Sequence, residues 1–143
     1  MPDYGISFGT APMYQGEVSF SSGVAVTLFD IPLPTAGDRC SGTVHFSIQC
    51  SDGTDYQNIT HVARFSAVNK AGTLTGDFTY DTTGQSKNTT TGTLTTTATD
   101  TTTATTTARF QMTPTSSLTL TSAVIRFTII SMFGSKPSAI TTT

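Results

Sequence analysis

The chain has 143 residues, of which 36% are apolar and 11% charged, with a formal net charge of −2 and a pI near 5.4. That length fits one domain. The slightly acidic balance argues against a nucleic-acid binder, which needs a strongly basic face, and no run of about 18 apolar residues is present to cross a membrane as a helix. Threonine supplies 33 residues, 17 of them between Thr79 and Thr107, while Glu17 is the only glutamate. Threonine is β-branched and stiff at χ1, so it favours strands. Glu and Lys, which usually fill exposed helix faces, are scarce. The composition therefore predicts an all-β chain.

Residues 1–15 carry Pro2, Gly5, Gly9 and Pro12 between Tyr4, Ile6, Phe8, Met13 and Tyr14. They predict an irregular apolar arm that needs a surface to lie on, either its own domain or a neighbour. From residue 16 the apolar period is two. Val18 and Phe20 alternate, Ser21-Ser22-Gly23 makes a turn, and Val24, Val26 and Leu28 continue the pattern. Pro32, Pro34 and Gly37 predict a long loop over 30–42. Val44, Phe46, Ile48 and Cys50 then alternate with His45, Ser47 and Gln49, the clearest half-buried strand in the chain.

Ser51-Asp52-Gly53-Thr54 has the chemistry of a turn. The next strand spans about 57–69, with Ile59, Ala63, Phe65 and Ala67 on one face, and Asn69-Lys70-Ala71-Gly72 is a hairpin signal. Leu74, Phe78 and Tyr80 follow, with a bulge expected at Gly76 and a loop over 81–88. Leu94, Thr96 and Ala98 keep the period weakly. A turn is expected at 99–103, and Ala104, Ala108, Phe110 and Met112 form a face that Pro114 ends. After Leu118 and Leu120, a last strand carries Ala123, Ile125, Phe127 and Ile129, and Gly134 and Pro137 close the fold.

Eight to nine short antiparallel strands with turn signals every 8–12 residues or so predict a single β-sandwich. The strand number fits a jelly-roll-like arrangement, two Greek keys of four strands each. The expected layout is an arm over 1–15, a sandwich over 16–133 and a tail over 134–143. The threonine-rich stretch 89–107 can be read as a disordered linker or as a hairpin. Its residual period of two, and its lack of Pro and Ser, favour the hairpin.

Few residues suggest chemistry. His45, His61, Cys40 and Cys50 match no zinc spacing, and Asp52-Gly53-Thr54-Asp55 lacks the closing glutamate of a calcium loop. No nucleophile elbow is present. No catalytic residue, metal or cofactor is therefore expected, and the chain is not read as an enzyme. The N-terminus, Met1-Pro2-Asp3-Tyr4, lacks the regions of a secretory signal, so folding in a cytosol with free thiols is expected. Ala63-Arg64-Phe65, Ala108-Arg109-Phe110 and Ile125-Arg126-Phe127 share one pattern, with Val44-His45-Phe46 as a variant. Each Phe is expected in the core. Arg64, Arg109 and Arg126 then face outward, either as a solvated face or as a docking row for a partner's carboxylates and carbonyls.

The run Phe65-Ser66-Ala67-Val68-Asn69-Lys70-Ala71-Gly72-Thr73-Leu74-Thr75-Gly76, followed by Gly92-Thr93-Leu94-Thr95 and Val124-Ile125-Arg126-Phe127-Thr128-Ile129, resembles small β-sandwich virion proteins of tailed bacteriophages. The resemblance covers roughly residues 40–131. It implies a jelly-roll-like, trimeric structural protein on the capsid surface, made in the host cytoplasm. Such a protein decorates and cements the head by bridging copies of the major capsid protein. The alternative it implies is a tail-fibre or receptor-binding virion protein of the same fold. For the first role Tyr4, Ile6, Phe8, Met13 and Tyr14 are the expected anchors, with Arg64, Arg109 and Arg126 second. Partners would be the capsid protein and further copies of this chain, with no nucleic acid and no membrane.

Overall fold

The computed structural model describes residues 14–80, 84–103 and 106–137. Nine antiparallel strands form two facing sheets: β1 (Tyr14–Ser19), β2 (Val26–Pro32), β3 (Arg39–Ser51), β4 (Tyr56–Lys70), β5 (Thr73–Tyr80), β6 (Ser86–Thr89), β7 (Leu94–Thr103), β8 (Thr107–Ser116) and β9 (Ser122–Gly134). The larger sheet has six strands in the order β1-β9-β3-β4-β5, with β6 also paired to β4; the smaller has the order β2-β8-β7. The chain is an all-β sandwich. β9 returns beside β3, so β9-β3-β4-β5 has the spatial order of a Greek key. The division into six and three strands departs from two equal keys, because β3-β4-β5 and β7-β8 are joined by tight hairpins that stay in their own sheets.

Alternation places the core. In β3, Cys40, Val44, Phe46, Ile48 and Cys50 turn inward, and in β4 so do Ile59, Ala63, Phe65 and Ala67. The smaller sheet answers with Phe29, Ile31, Leu94, Ala108, Phe110 and Met112. Phe29 sits at the centre. Its ring lies 5.1 Å from Phe65, 5.1 Å from Phe110, 5.9 Å from Phe127 and 6.3 Å from Phe78. These five rings come from β2, β4, β5, β8 and β9, so the cluster joins both sheets.

Phe29 reaches that position through a β-bulge. Thr27 opposes Gln111 and Phe29 opposes Phe110, which leaves Leu28 as an extra residue in β2. Leu28 and Phe29 are consequently both buried. In the sequence the apolar parity switches here, from Val26 and Leu28 to Phe29, Ile31 and Leu33. A second switch, from Ile125, Phe127 and Ile129 to Ile130 and Met132, marks the bulge in β9, where Ser131 opposes Thr43 and Ile129 opposes Val44.

Two buried amides fasten the ends of β4. Gln57 donates from Nε2 to the Thr91 carbonyl at 2.9 Å and accepts from Ser116 Oγ at 2.6 Å. Asn69 donates from Nδ2 to the Leu33 carbonyl at 2.6 Å and accepts from Gly72 N–H at 2.8 Å. Each satisfies loop backbone that would otherwise lose water without replacement.

Several local expectations are corrected. The loop expected over 30–42 is shorter, because β2 runs to Pro32 and β3 begins at Arg39. Gly76 is not a bulge, since Ala67↔Gly76 sits in unbroken register. Its missing Cβ instead leaves room for the Asp100 carboxylate of β7, which would lie 3.0 Å from it. Pro114 lies inside β8 rather than ending it. It sits beyond the β2 ladder, which ends at Val26↔Met112, so no β2 carbonyl needs its absent donor, while its own carbonyl accepts Gly23 N–H at 2.8 Å. The threonine-rich stretch builds β7 up to Thr103, past the expected turn at 99–103, and β8 starts at Thr107. Within the segment expected as a loop over 81–88, Ser86 begins β6.

Removing the central ring should cost most. Phe29→Ala is expected to destabilise the fold by about 3–5 kcal/mol in urea unfolding, with Phe46→Ala and Phe127→Ala in the same range. The hairpin Ala71-Gly72 has φ of 53° and 88°, a conformation that asks for Asn-Gly. Ala71→Asn should therefore stabilise by roughly 0.5–1 kcal/mol in the same assay.

Candidate functional site

The three arginines do not form one row. Arg64 and Arg126 lie on the outer face of the larger sheet, whereas Arg109 lies on the outer face of the smaller one. Arg109 donates to both carboxylate oxygens of Asp30, at 2.9 Å each, an arrangement that pins β8 to β2 across the register Asp30↔Arg109. The Asp30 hydrogen bond raises the Arg109 pKa. Arg126 donates to Glu17 Oε2 at 2.7 Å and to Gln49 Oε1 at 2.7 Å. The single glutamate of the chain is thus held by this arginine. Arg64 is exposed between Thr43 and Thr79 and makes no ion pair among the described residues.

Of the expected arm anchors, Tyr4, Ile6, Phe8 and Met13 lie outside the described residues. Tyr14 does not belong to an irregular arm: it opens β1, pairs with Ile129 and packs half-buried on the core.

Cys40 and Cys50 are free and buried on the same face of one strand. Ten residues of extended chain separate them by about 33 Å, too far for a disulfide. Burial pushes the Cys40 thiol up to about 11 and also raises Cys50. Asp52 caps its own turn: Oδ1 accepts Thr54 N–H at 2.9 Å and Asp55 N–H at 2.8 Å, and these amides hold its carboxyl below the usual range. His61 is buried edge-on to Tyr80, with ring centroids 5.3 Å apart, and neither ring nitrogen has a hydrogen-bond partner among the described residues. Among the described residues no three His, Cys, Asp or Glu side chains converge.

The feature that alternation could not assemble is an open groove of about 1080 Å³ across one end of the larger sheet. Cross-strand register builds it. Ser19, Val124, Gln49, Asn58 and Asn88 stand side by side on β1, β9, β3, β4 and β6. The neighbouring row is Glu17, Arg126, Ser47, Thr60 and Ser86, of which Glu17 and Arg126 line the groove. At the far side Tyr56 opens β4 opposite Ser51, with 60% of its surface exposed. Only Gln49 of the amide row was legible as an outward residue, through the alternation in β3. Asn58 and Asn88 are 30 positions apart in sequence, and only the β4–β6 pairing makes them neighbours.

No family model matches the chain, and no curated protein matches it. Among solved structures, the tailspike protein of Acinetobacter baumannii phage AM24 is similar at 12% identity and a TM-score of 0.48, over 90% of this chain. The chain spans 27% of that tailspike's length.

The buried thiols give a direct check. Iodoacetamide at neutral pH should label neither cysteine in the native protein and both in urea, because the thiolate is the reactive form. The folded Cys40 value lies above the ordinary 9.0. Its contribution to stability is therefore full below pH 9 and is lost as pH climbs through about 11. Urea midpoints measured across that interval should fall accordingly.

Proposed function

We propose that this chain is a structural protein of a tailed-bacteriophage virion, and that it serves as a recognition module on the particle exterior. The sequence resemblance to small virion β-sandwich proteins supports the setting. The observation that carries the recognition role is the groove beside Tyr56. It gathers amide and hydroxyl side chains and one exposed aromatic ring on a five-strand platform, beside a wall of Phe20, Leu118, Leu120 and Ala123. Sites on sheet strands hold their side chains more accurately than loop sites do. Among the described residues that line it, the groove's one cation, Arg126, is matched by Glu17, so the surface suits an uncharged polar partner.

Capsid decoration is the second reading, and one observation favours it. Ile130 and Phe133 are 58% and 70% exposed at the end of β9, beyond the point where β1 pairing begins at Tyr14↔Ile129. An apolar pair of this kind suits burial at a junction between shell subunits. Many such weak contacts, repeated over a lattice of capsid protein and further copies of this chain, would brace a head by multivalent attachment. In that reading a trimer spans the junction and residues 1–13 supply further anchors.

Quantitative mass spectrometry of purified virions separates the two. Recognition predicts a copy number far below that of the major capsid protein, and purified chain that blocks particle adsorption to host cells. A copy number comparable to the capsid protein, with adsorption unaffected by added chain, would replace it with decoration. Under decoration, deleting residues 1–13 should empty the particles of this chain while the sandwich stays folded.

A further inference from the structure

We infer that the row Gln49–Asn58–Asn88, flanked at its middle by Tyr56, two residues from Asn58 on β4, binds a neutral, extended oligosaccharide; this rests on the recognition reading above. Adjacent strands lie about 4.8 Å apart, so the three amides on β3, β4 and β6 span about 10 Å. That span matches a short run of linked sugar rings lying across the strands rather than along one.

The amides are already oriented. Arg126 is donor-only, and its bond to Gln49 Oε1 fixes which end of that amide faces away. Ser47 Oγ donates to Asn58 Oδ1 at 3.3 Å. Both carbonyl oxygens are thereby occupied, and both NH2 groups remain to donate outward. Asn88 has no side-chain bond among the described residues and offers both a donor and an acceptor. A row of donors with one mixed amide suits hydroxyl and ring oxygens, which recur along a sugar chain at short intervals. Thr60 and Ser86 flank the row with hydroxyls.

Tyr56 supplies the complementary surface. Its ring is 60% exposed, rigid and amphipathic, and it gives contact area at low entropic cost. A pyranose presents an apolar C–H face to such a ring and hydroxyls to the amides beside it. Charge narrows the class further. Glu17 and Arg126 cancel within the groove, so no spare cation is left for a uronate or sialate among the described residues that line it. An extended peptide would instead seek an open sheet edge with side-chain pockets, and this row lies on a sheet face.

The test uses the full chain, fluorescently labelled, on a microarray of neutral bacterial oligosaccharides printed beside uronate- and sialic-acid-bearing ones. Binding to neutral members is expected. Tyr56→Ala and Asn58→Ala should each weaken it by about tenfold or more, while Thr97→Ala on the opposite sheet should not change it. Should a variant unfold, the intact protein still answers. Titrating it with the best array ligand should move the side-chain NH2 resonances of Gln49, Asn58 and Asn88 in nitrogen-correlated NMR spectra. Silence on every neutral glycan, binding confined to acidic ones, unmoved amide resonances, or variants that bind like the wild type would overturn the inference. Blocking of phage adsorption with a silent array would leave recognition standing and remove the oligosaccharide. Array binding without attachment to host cells would keep the oligosaccharide site and remove the recognition role.

Discussion

The contact of Phe29 with four other phenylalanine rings is the interaction on which the rest of the sandwich depends. Two sheets of unequal width, six strands over three, share few pairs of facing residues, so the core needs large side chains where they overlap. Rings from β4, β5 and β9 meet rings from β2 and β8, with centroids 5.1–6.3 Å from Phe29. That range suits offset and edge-on aromatic packing. The bulge at Leu28 makes the meeting possible. Without the extra residue, Phe29 would project to solvent and Asp30 would point into the core. With it, Asp30 turns outward to meet Arg109, and the ion pair reinforces the register that the aromatic cluster requires.

A core secured in this way leaves the outer faces with little structural duty. They carry hydroxyls and amides at most outward positions and few charges, and two of the four arginines, Arg109 and Arg126, are tied to a carboxylate within the chain. The buried Gln57 and Asn69 perform their work at the two ends of β4, where they complete the bonds of loops. One of those loops, after β6, borders the groove, so the internal bond from Gln57 to Thr91 also steadies the groove's rim. Stability and surface presentation are linked there through a single buried side chain.

Much of the fold was legible because period two is a strong signal wherever one face is buried. Phe46, Phe65, Phe110 and Phe127 were all placed inward by alternation, and all are buried. The threonine-rich stretch also read as strand, since β-branched side chains fit a pleated surface whether or not they are apolar. The errors have a common origin. Pro114 and Gly76 read as local breakers, but in the fold Pro114 lies past the last β2 pair, where no donor is required, and Gly76 makes room for the Asp100 carboxylate. The parity switch at Leu28 and Phe29 was visible but reads as the end of a strand unless the partner's register is known.

By itself, then, the chain's order of residues determined that it would be all-β, that most of its core rings other than Phe29 would be inside and roughly how many strands would form, because these follow from alternation and side-chain shape along one strand at a time. It did not determine that β6 pairs with β4, that β7 and β8 sit in the opposite sheet from Arg64 and Arg126, or that Gln49, Asn58 and Asn88 stand in one row. Those relations depend on which strands lie side by side and in what register. Long-range pairing is set by the shared core and by loop closure, and leaves no periodic mark on the sequence that a single strand could show.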